Sequence, residues 1–236
     1  MKHLTLLFLT ALIMSQSIAD ETATRPNERL QVIIDLFLDD LPAQGLALLE
    51  SDESQIVEEI EETKNAEVYI LLGRAYFYAE QDIKSIDAFE AALRIDPEQS
   101  DAHFFIGLIQ RFSDDLDSAE RSFQNAITIN SVDQKYFMEL ARTLEMKGDL
   151  TSAAKTYKNV LVLDADNFDA NFNLATIHAN DGDTETAEIY YLKATEIEPL
   201  DADSHYNLGQ LYQNTCLLYT SPSPRDLSTS RMPSSA

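Results

Sequence analysis

Tyr69-Ile70-Leu71-Leu72-Gly73-Arg74-Ala75-Tyr76 returns, altered but in register, as His205-Tyr206-Asn207-Leu208-Gly209-Gln210-Leu211-Tyr212. The two stretches lie four periods of 34 residues apart, and the register holds from Ala66 to Thr215. A period of about 20–50 residues marks stacked units, none of which can bury its apolar face alone. One small-residue column runs Gly73, Gly107, Ala141, Ala175, Gly209, and a second, twelve residues later, runs Ser85, Ala119, Ala153, Ala187. Four residues beyond that stands an aromatic column, Phe89, Phe123, Tyr157, Tyr191. Ala92, Ala126, Val160 and Ala194 follow, and Pro97, Ser131, Ala165 and Pro199 close each copy. Small residues facing one another let two helices approach closely while the aromatic ring fills the space beside them.

Within a copy the apolar spacing is helical. Val68, Leu71, Leu72, Ala75 and Tyr76 form one face, and Ile86, Phe89, Ala92, Leu93 and Ile95 another. Breaks fall at Lys147-Gly148-Asp149 and Asp181-Gly182-Asp183 inside copies, and at Asp96-Pro97 and Glu198-Pro199 between them. Proline there cannot continue the preceding helix. The spacing predicts an all-α chain of antiparallel helical hairpins, with helices near 67–79 and 83–95 in the first copy. The aromatic-x-x-Leu-Gly-x-x-Tyr opening, the Ala-x-x-x-Phe core and the closing Pro resemble the tetratricopeptide repeat family. The resemblance covers four copies, 66–99, 100–133, 134–167 and 168–201, and the first helix of a fifth over 202–215. It implies a right-handed superhelical solenoid. The chain departs from the family pattern at the opening tryptophan, which is replaced by Tyr69, His103, Phe137, Asn171 and His205.

Both ends fall outside the period. Lys2, the apolar run Leu4–Met14 and Ser17-Ile18-Ala19 read as a secretory signal cleaved after Ala19, with an uncleaved signal-anchor as the alternative. An apolar run this short does not span ~30 Å of hydrocarbon as a helix. Cleavage there leaves no stable membrane anchor and places the mature chain in the periplasm or outside the cell. From Cys216 to Ala236 the sequence reads as translated adapter DNA from a transposase-based sequencing library. The mosaic end TGTCTCTTATACACATCT encodes Cys216 to Ser221, and a genuine Ser/Pro-rich linker is the alternative. On the adapter reading the natural chain continues beyond Thr215, so the number of copies is a lower limit. Residues 20–65 precede the clear period and read as a helical N-terminal cap or a degenerate repeat. Helical spacing there covers Arg29–Leu41, Gly45–Glu50 and Gln55–Thr63.

Between Asp20 and Thr215, 14 Lys and Arg face 40 Asp and Glu, a balance of −26. Such acidity disfavours nucleic acid, whose phosphates require basic groups to displace counterions. It is the usual composition of solvated helix faces. The single cysteine, Cys216, lies in the adapter-like tail, so no disulfide framework is expected.

No phosphate-cradling Gly-rich loop, His-Glu-x-x-His or Gly-x-Ser-x-Gly occurs, and no enzyme activity, cofactor or metal is expected of these residues. His103, His178 and His205 stand in packing columns of separate copies. Asn180-Asp181-Gly182-Asp183-Thr184-Glu185 lacks the length and glycine placement of a calcium loop and reads as an inter-helix turn.

The resemblance implies that the first helix of each hairpin lines a concave groove. It carries onto Ile70, Phe104, Met138, Phe172 and Tyr206 in one row, and Arg74, Leu108, Arg142, Thr176 and Gln210 in the next. Phe77, Tyr78, Arg111, Phe112, Glu145 and Met146 form a third. Aromatic, Met and Arg side chains are the types enriched at binding hot spots. The carboxylate clamp of chaperone-binding relatives is not reproduced, because Glu67, Asp101, Asp169 and Asp203 are acidic where it needs cations. The candidate groove therefore comprises Ile70, Arg74, Phe77, Tyr78, Phe104, Leu108, Arg111, Phe112, Met138, Arg142 and Met146. It suits a protein or peptide segment with apolar anchors and one or two acidic groups. The expected function is an exported scaffold for protein–protein interaction. The rival is the targeting arm of a longer envelope enzyme, a peptidase or glycosyltransferase, whose catalytic motif would follow Thr215.

Overall fold

The computed structural model describes residues 26–38 and 42–220, all of whose regular structure is α-helical. The helices are α1 (Pro26–Leu38), α2 (Pro42–Thr63), α3 (Ala66–Tyr78), α4 (Asp82–Ile95), α5 (Ser100–Phe112) and α6 (Leu116–Ile129). They continue as α7 (Gln134–Met146), α8 (Leu150–Leu163), α9 (Phe168–Asn180), α10 (Thr184–Ile197) and α11 (Ala202–Thr220). The signal-like segment 1–19 and the tail over 221–236 lie outside the described residues, while α11 continues past Thr215 to Thr220. The hairpins α3–α4, α5–α6, α7–α8 and α9–α10 coincide with the four copies of the period.

The same turn closes every hairpin. In the first, Gln81 N–H bonds the Tyr76 carbonyl at 2.9 Å and Glu80 N–H bonds the Phe77 carbonyl at 3.1 Å. This paired arrangement ends a helix only if the intervening residue is left-handed. Glu80, Asp114, Gly148 and Gly182, one period apart, take φ of 57°, 63°, 79° and 83°. The next residue begins the second helix. Asp115, Asp149 and Asp183 each cap it, accepting from the backbone N–H of Ser118, Ser152 and Thr186. Glycine marks the turn in only two of the four copies, which is why the sequence displays the break there alone.

The chain divides into two compact units, Met1–Ser131 and Val132–Ala236. In the first, Leu30, Ile33 and Ile34 of α1 and Leu49 of α2 share a core with Val68, Leu72, Ala75 and Tyr76 of α3. The two helices before the period thus lie against the opening helix of the first copy. The sequence separates Gly45–Glu50 from Gln55–Thr63, but α2 runs unbroken through the polar stretch between them. No proline interrupts it, and Glu53 in that stretch accepts from both the Tyr76 hydroxyl (2.6 Å) and Lys84 (2.5 Å), docking α2 on α3 and α4. In the second unit, Ala175, Ala187, Tyr191, Leu208 and Leu211 form a core joining α9, α10 and α11.

The small and aromatic columns face each other within every hairpin. Phe89, Phe123 and Tyr157 are wholly buried and Tyr191 nearly so. A methyl group on Gly73 would stand 2.7 Å from Phe89, and one on Gly107 2.8 Å from Phe123, too close for any carbon contact. Alanine occupies the same column in the last two hairpins, opposite Tyr157 and Tyr191. There the ring hydroxyls are satisfied: Tyr157 donates to Glu145 at 2.5 Å, and Tyr191 lies 3.1 Å from the Thr176 hydroxyl.

Candidate partner-binding surface

Of the residues expected in the groove, α3 carries Ile70, Arg74, Phe77 and Tyr78, and the adjacent helix α5 carries Phe104, Leu108, Arg111 and Phe112. Helical spacing aligns each set along one side of its helix. Ile70 and Phe104 are buried in the first unit and serve packing. Arg74, Phe77, Tyr78, Leu108 and Arg111 are half-buried, and Phe112 is 68% exposed.

The aromatic rings form a connected series from surface to core. Phe112 stacks on Phe77 at 6.4 Å, and Phe77 meets Phe105 edge-on at 5.2 Å. Phe105 in turn stacks on buried Phe89 at 5.4 Å and meets Phe104 edge-on, also at 5.4 Å. Phe105 is the hub of this cluster, yet the family register selects its neighbour Phe104 instead. The Phe104-Phe105 doublet is the signal that was there to be used.

Two guanidinium groups lie on these rings. Arg111 stands 4.9 Å from the Phe112 centroid and Arg74 stands 5.8 Å from that of Phe105. A cation over a ring face is held by the ring's quadrupole, more strongly where water is excluded. Among the described residues Arg74 has no carboxylate partner, and its Nε is buried with no hydrogen bond. A half-buried charge left without a counter-ion in so acidic a chain is open to an incoming carboxylate, which Arg binds in a forked pair.

The second unit arranges its expected residues differently. Met138 is buried and Met146 is 52% exposed at the end of α7. Arg142 is already engaged, donating to Glu139 at 2.9 Å and to Asp169 at 2.7 Å. Asp169, an acidic residue in a position where the clamp of relatives wants a cation, is thus the counter-ion of Arg142. Burial first, then the bond to Glu145, pushes the Tyr157 hydroxyl far above its ordinary value and keeps it a donor. Thr176 bonds the Phe172 carbonyl at 3.0 Å, and Tyr206 is 65% exposed.

The histidines are dispersed. His103 is half-buried on α5, and that burial depresses its proton affinity. His178 stacks on Tyr190 at 6.0 Å, and His205 meets the Pro199 carbonyl at 3.0 Å. Among the described residues no three His, Cys, Asp or Glu side chains come together as a metal site, and no helix is long and apolar enough to cross a membrane.

Tetratricopeptide repeat profiles match residues 66–99, 138–202 and 190–215. The chain belongs to the tetratricopeptide repeat family. The profiles leave the copy over 100–133 uncovered, but its hairpin has the same turn and the same Gly107–Phe123 contact as its neighbour. No curated protein matches the chain. Solved tetratricopeptide repeat structures share the fold. The C-terminal part of a repeat protein from Cytophaga hutchinsonii is 19% identical, with a TM-score of 0.66 over 90% of this chain and 83% of that one. YrrB, described as a TPR protein with an unusual peptide-binding site, is 21% identical with a TM-score of 0.59, covering 82% and 96%. MamA is 19% identical with a TM-score of 0.57, covering 64% and 91%. The matched families are all repeat families.

Proposed function

We propose that this tetratricopeptide repeat protein is an exported interaction scaffold that takes a segment of a partner protein on the α3/α5 surface of its first unit. The observation that carries the reading is Arg74, a cation without a counter-ion set over Phe105, in the ring cluster that runs through Phe77 to the exposed Phe112. A segment offering one apolar anchor to Phe77 and Phe112 and one carboxylate to Arg74 complements it. Rings fixed by their neighbours lose little freedom on binding, which lowers the cost of association. YrrB shares the fold and is described as binding peptide, which supports a peptide-sized partner. Export rests on the signal-like start, Lys2, Leu4–Met14 and Ser17-Ile18-Ala19.

A displayed random-peptide library selected on the full chain tests the surface. Recovered peptides are expected to pair an aromatic or aliphatic residue with a nearby Asp or Glu. Their binding is expected to fall about tenfold or more on Arg74→Ala or Phe112→Ala, with thermal unfolding unchanged. Peptides that bind both variants as well as the parent would remove the α3/α5 surface from consideration.

A further inference from the structure

A second cleft, outside the groove rows, lies in the second unit between α8 and the end of α9, and it has a volume of about 460 Å³. That is the size of a small-molecule site. Its wall is apolar where Leu150 and Ala154 of α8 face Ile177 of α9, and Lys155 and Lys158 line it from α8. These two lysines stand apart from the other cations of the unit. Lys135 pairs with Asp133, Arg142 with Glu139 and Asp169, and Lys193 with Asp166. Lys155 and Lys158 make no ion pair or hydrogen bond among the described residues, although Asp and Glu far outnumber Lys and Arg in the chain. Three residues apart on one helix, they repel each other, a cost that an anion between them would relieve.

His178 adds a polar point to the same cleft. Its ring is held by Tyr190 on one face and by Asp183, whose carboxylate lies 3.2 Å from Nδ1, while Nε2 is buried with no partner. A buried nitrogen left unbonded costs free energy that a bound polar atom would recover. Asp181 stands in the lining as well and opposes a second negative charge. Two lysines against one aspartate leave room for a monoanion and disfavour a dianion such as a phosphate monoester. The α8 wall runs only from Leu150 to Lys158, about 12 Å of helix, too short a trough for an extended peptide.

We propose that the α8/α9 cleft is a binding site for a small apolar monocarboxylate. Lys155 and Lys158 take the carboxylate, and Leu150, Ala154 and Ile177 take the apolar body. This site is independent of the α3/α5 surface.

Titration calorimetry of the full chain with octanoate tests it, with 1-octanol, octyl phosphate and a short peptide ending in a free leucine carboxylate as comparison probes. Octanoate is expected to bind at one site, more tightly than the other three. A Lys155→Ala/Lys158→Ala double variant is expected to lose about tenfold or more in affinity, and Lys155→Arg/Lys158→Arg to retain most of it. Both lysines are exposed, so folding, followed by circular dichroism, should be unaffected. Octanol binding as tightly as octanoate, or octanoate binding that ignores the double alanine variant, would overturn the charged site. Tighter binding of octyl phosphate would overturn the monoanion, and tighter binding of the peptide would overturn the free small acid. Absence of octanoate binding would overturn the site altogether.

Discussion

The hairpins of the first unit and those of the second solve one packing problem with glycine in different places. In α3–α4 and α5–α6 the glycine sits where helices touch, at Gly73 and Gly107, and the left-handed turn residue is Glu80 or Asp114. In α7–α8 and α9–α10 the contact residue is Ala141 or Ala175, and the turn residue is Gly148 or Gly182. The ring changes in step, from Phe89 and Phe123 to Tyr157 and Tyr191. The first pair seats its rings where no methyl group would fit and places acidic residues in its left-handed turns. The second relaxes its turns and anchors its rings through hydroxyl bonds. One register therefore accommodates two local chemistries.

Moving glycine at the helix contact should produce the largest effect. Gly73→Ala places a methyl group 2.7 Å from Phe89, a wholly buried ring with nowhere to move. Overpacking of this kind costs about 1–3 kcal/mol, and the better helix propensity of alanine returns up to about 1. A net loss of roughly 1–2 kcal/mol in urea unfolding is expected. A Gly73→Ala variant as stable as the parent would mean that the Gly–Phe pairing carries no constraint.

Exchanging the turns is the milder test. Gly148→Ala adds a side chain in open space, so its cost of about 1 kcal/mol is that of the backbone at φ 79°. Glu80→Gly is expected to do the reverse and stabilise the first unit by about 0.5 kcal/mol, because the left-handed conformation costs glycine nothing. Equal responses of the two turns in thermal unfolding would erase the difference between the halves.

The smallest effect concerns a tie found in the first unit. Lys84 first, then the Tyr76 hydroxyl, holds the Glu53 carboxyl below its ordinary value of 4.5. Because the folded state has the lower value, the stability it contributes is complete above that pH and is lost as pH falls through the folded-state value. Glu53→Gln is expected to flatten the acid dependence of α2 docking at and below the ordinary carboxyl value, followed by amide exchange in α2. An unchanged slope would assign that acid sensitivity to other carboxylates.

The period made most of the fold legible, because each small residue and its aromatic partner recur at fixed spacing and can be read column by column. Helices expected at 67–79 and 83–95 form at Ala66–Tyr78 and Asp82–Ile95. What stayed hidden depends on neighbours that a column does not display. Arg74 and Arg142 occupy equivalent positions, yet Glu139 and Asp169 neutralise only the second. Phe105 becomes the centre of the aromatic cluster because Phe89 from α4 and Phe77 from α3 converge on it. The turns at Glu80 and Asp114 were recoverable by projecting Gly148 and Gly182 back through the period. Residue type alone conceals them, since residues other than glycine adopt positive φ in only a few per cent of cases. The cleft between α8 and α9 escaped the groove rows because it draws on the second helix of a hairpin.

The hydrogen bonds that lock the hairpins also bear on how fast the chain can assemble. Ser85 donates to the Gly73 carbonyl, Ser122 to Gln110 and Tyr157 to Glu145, and each bond joins residues twelve apart. A loop of about ten residues closes in roughly 10–100 ns, so each hairpin can find its own contacts before any distant part of the chain arrives. Topologies so rich in local contacts fold quickly, and every copy of the period is a place where folding can begin.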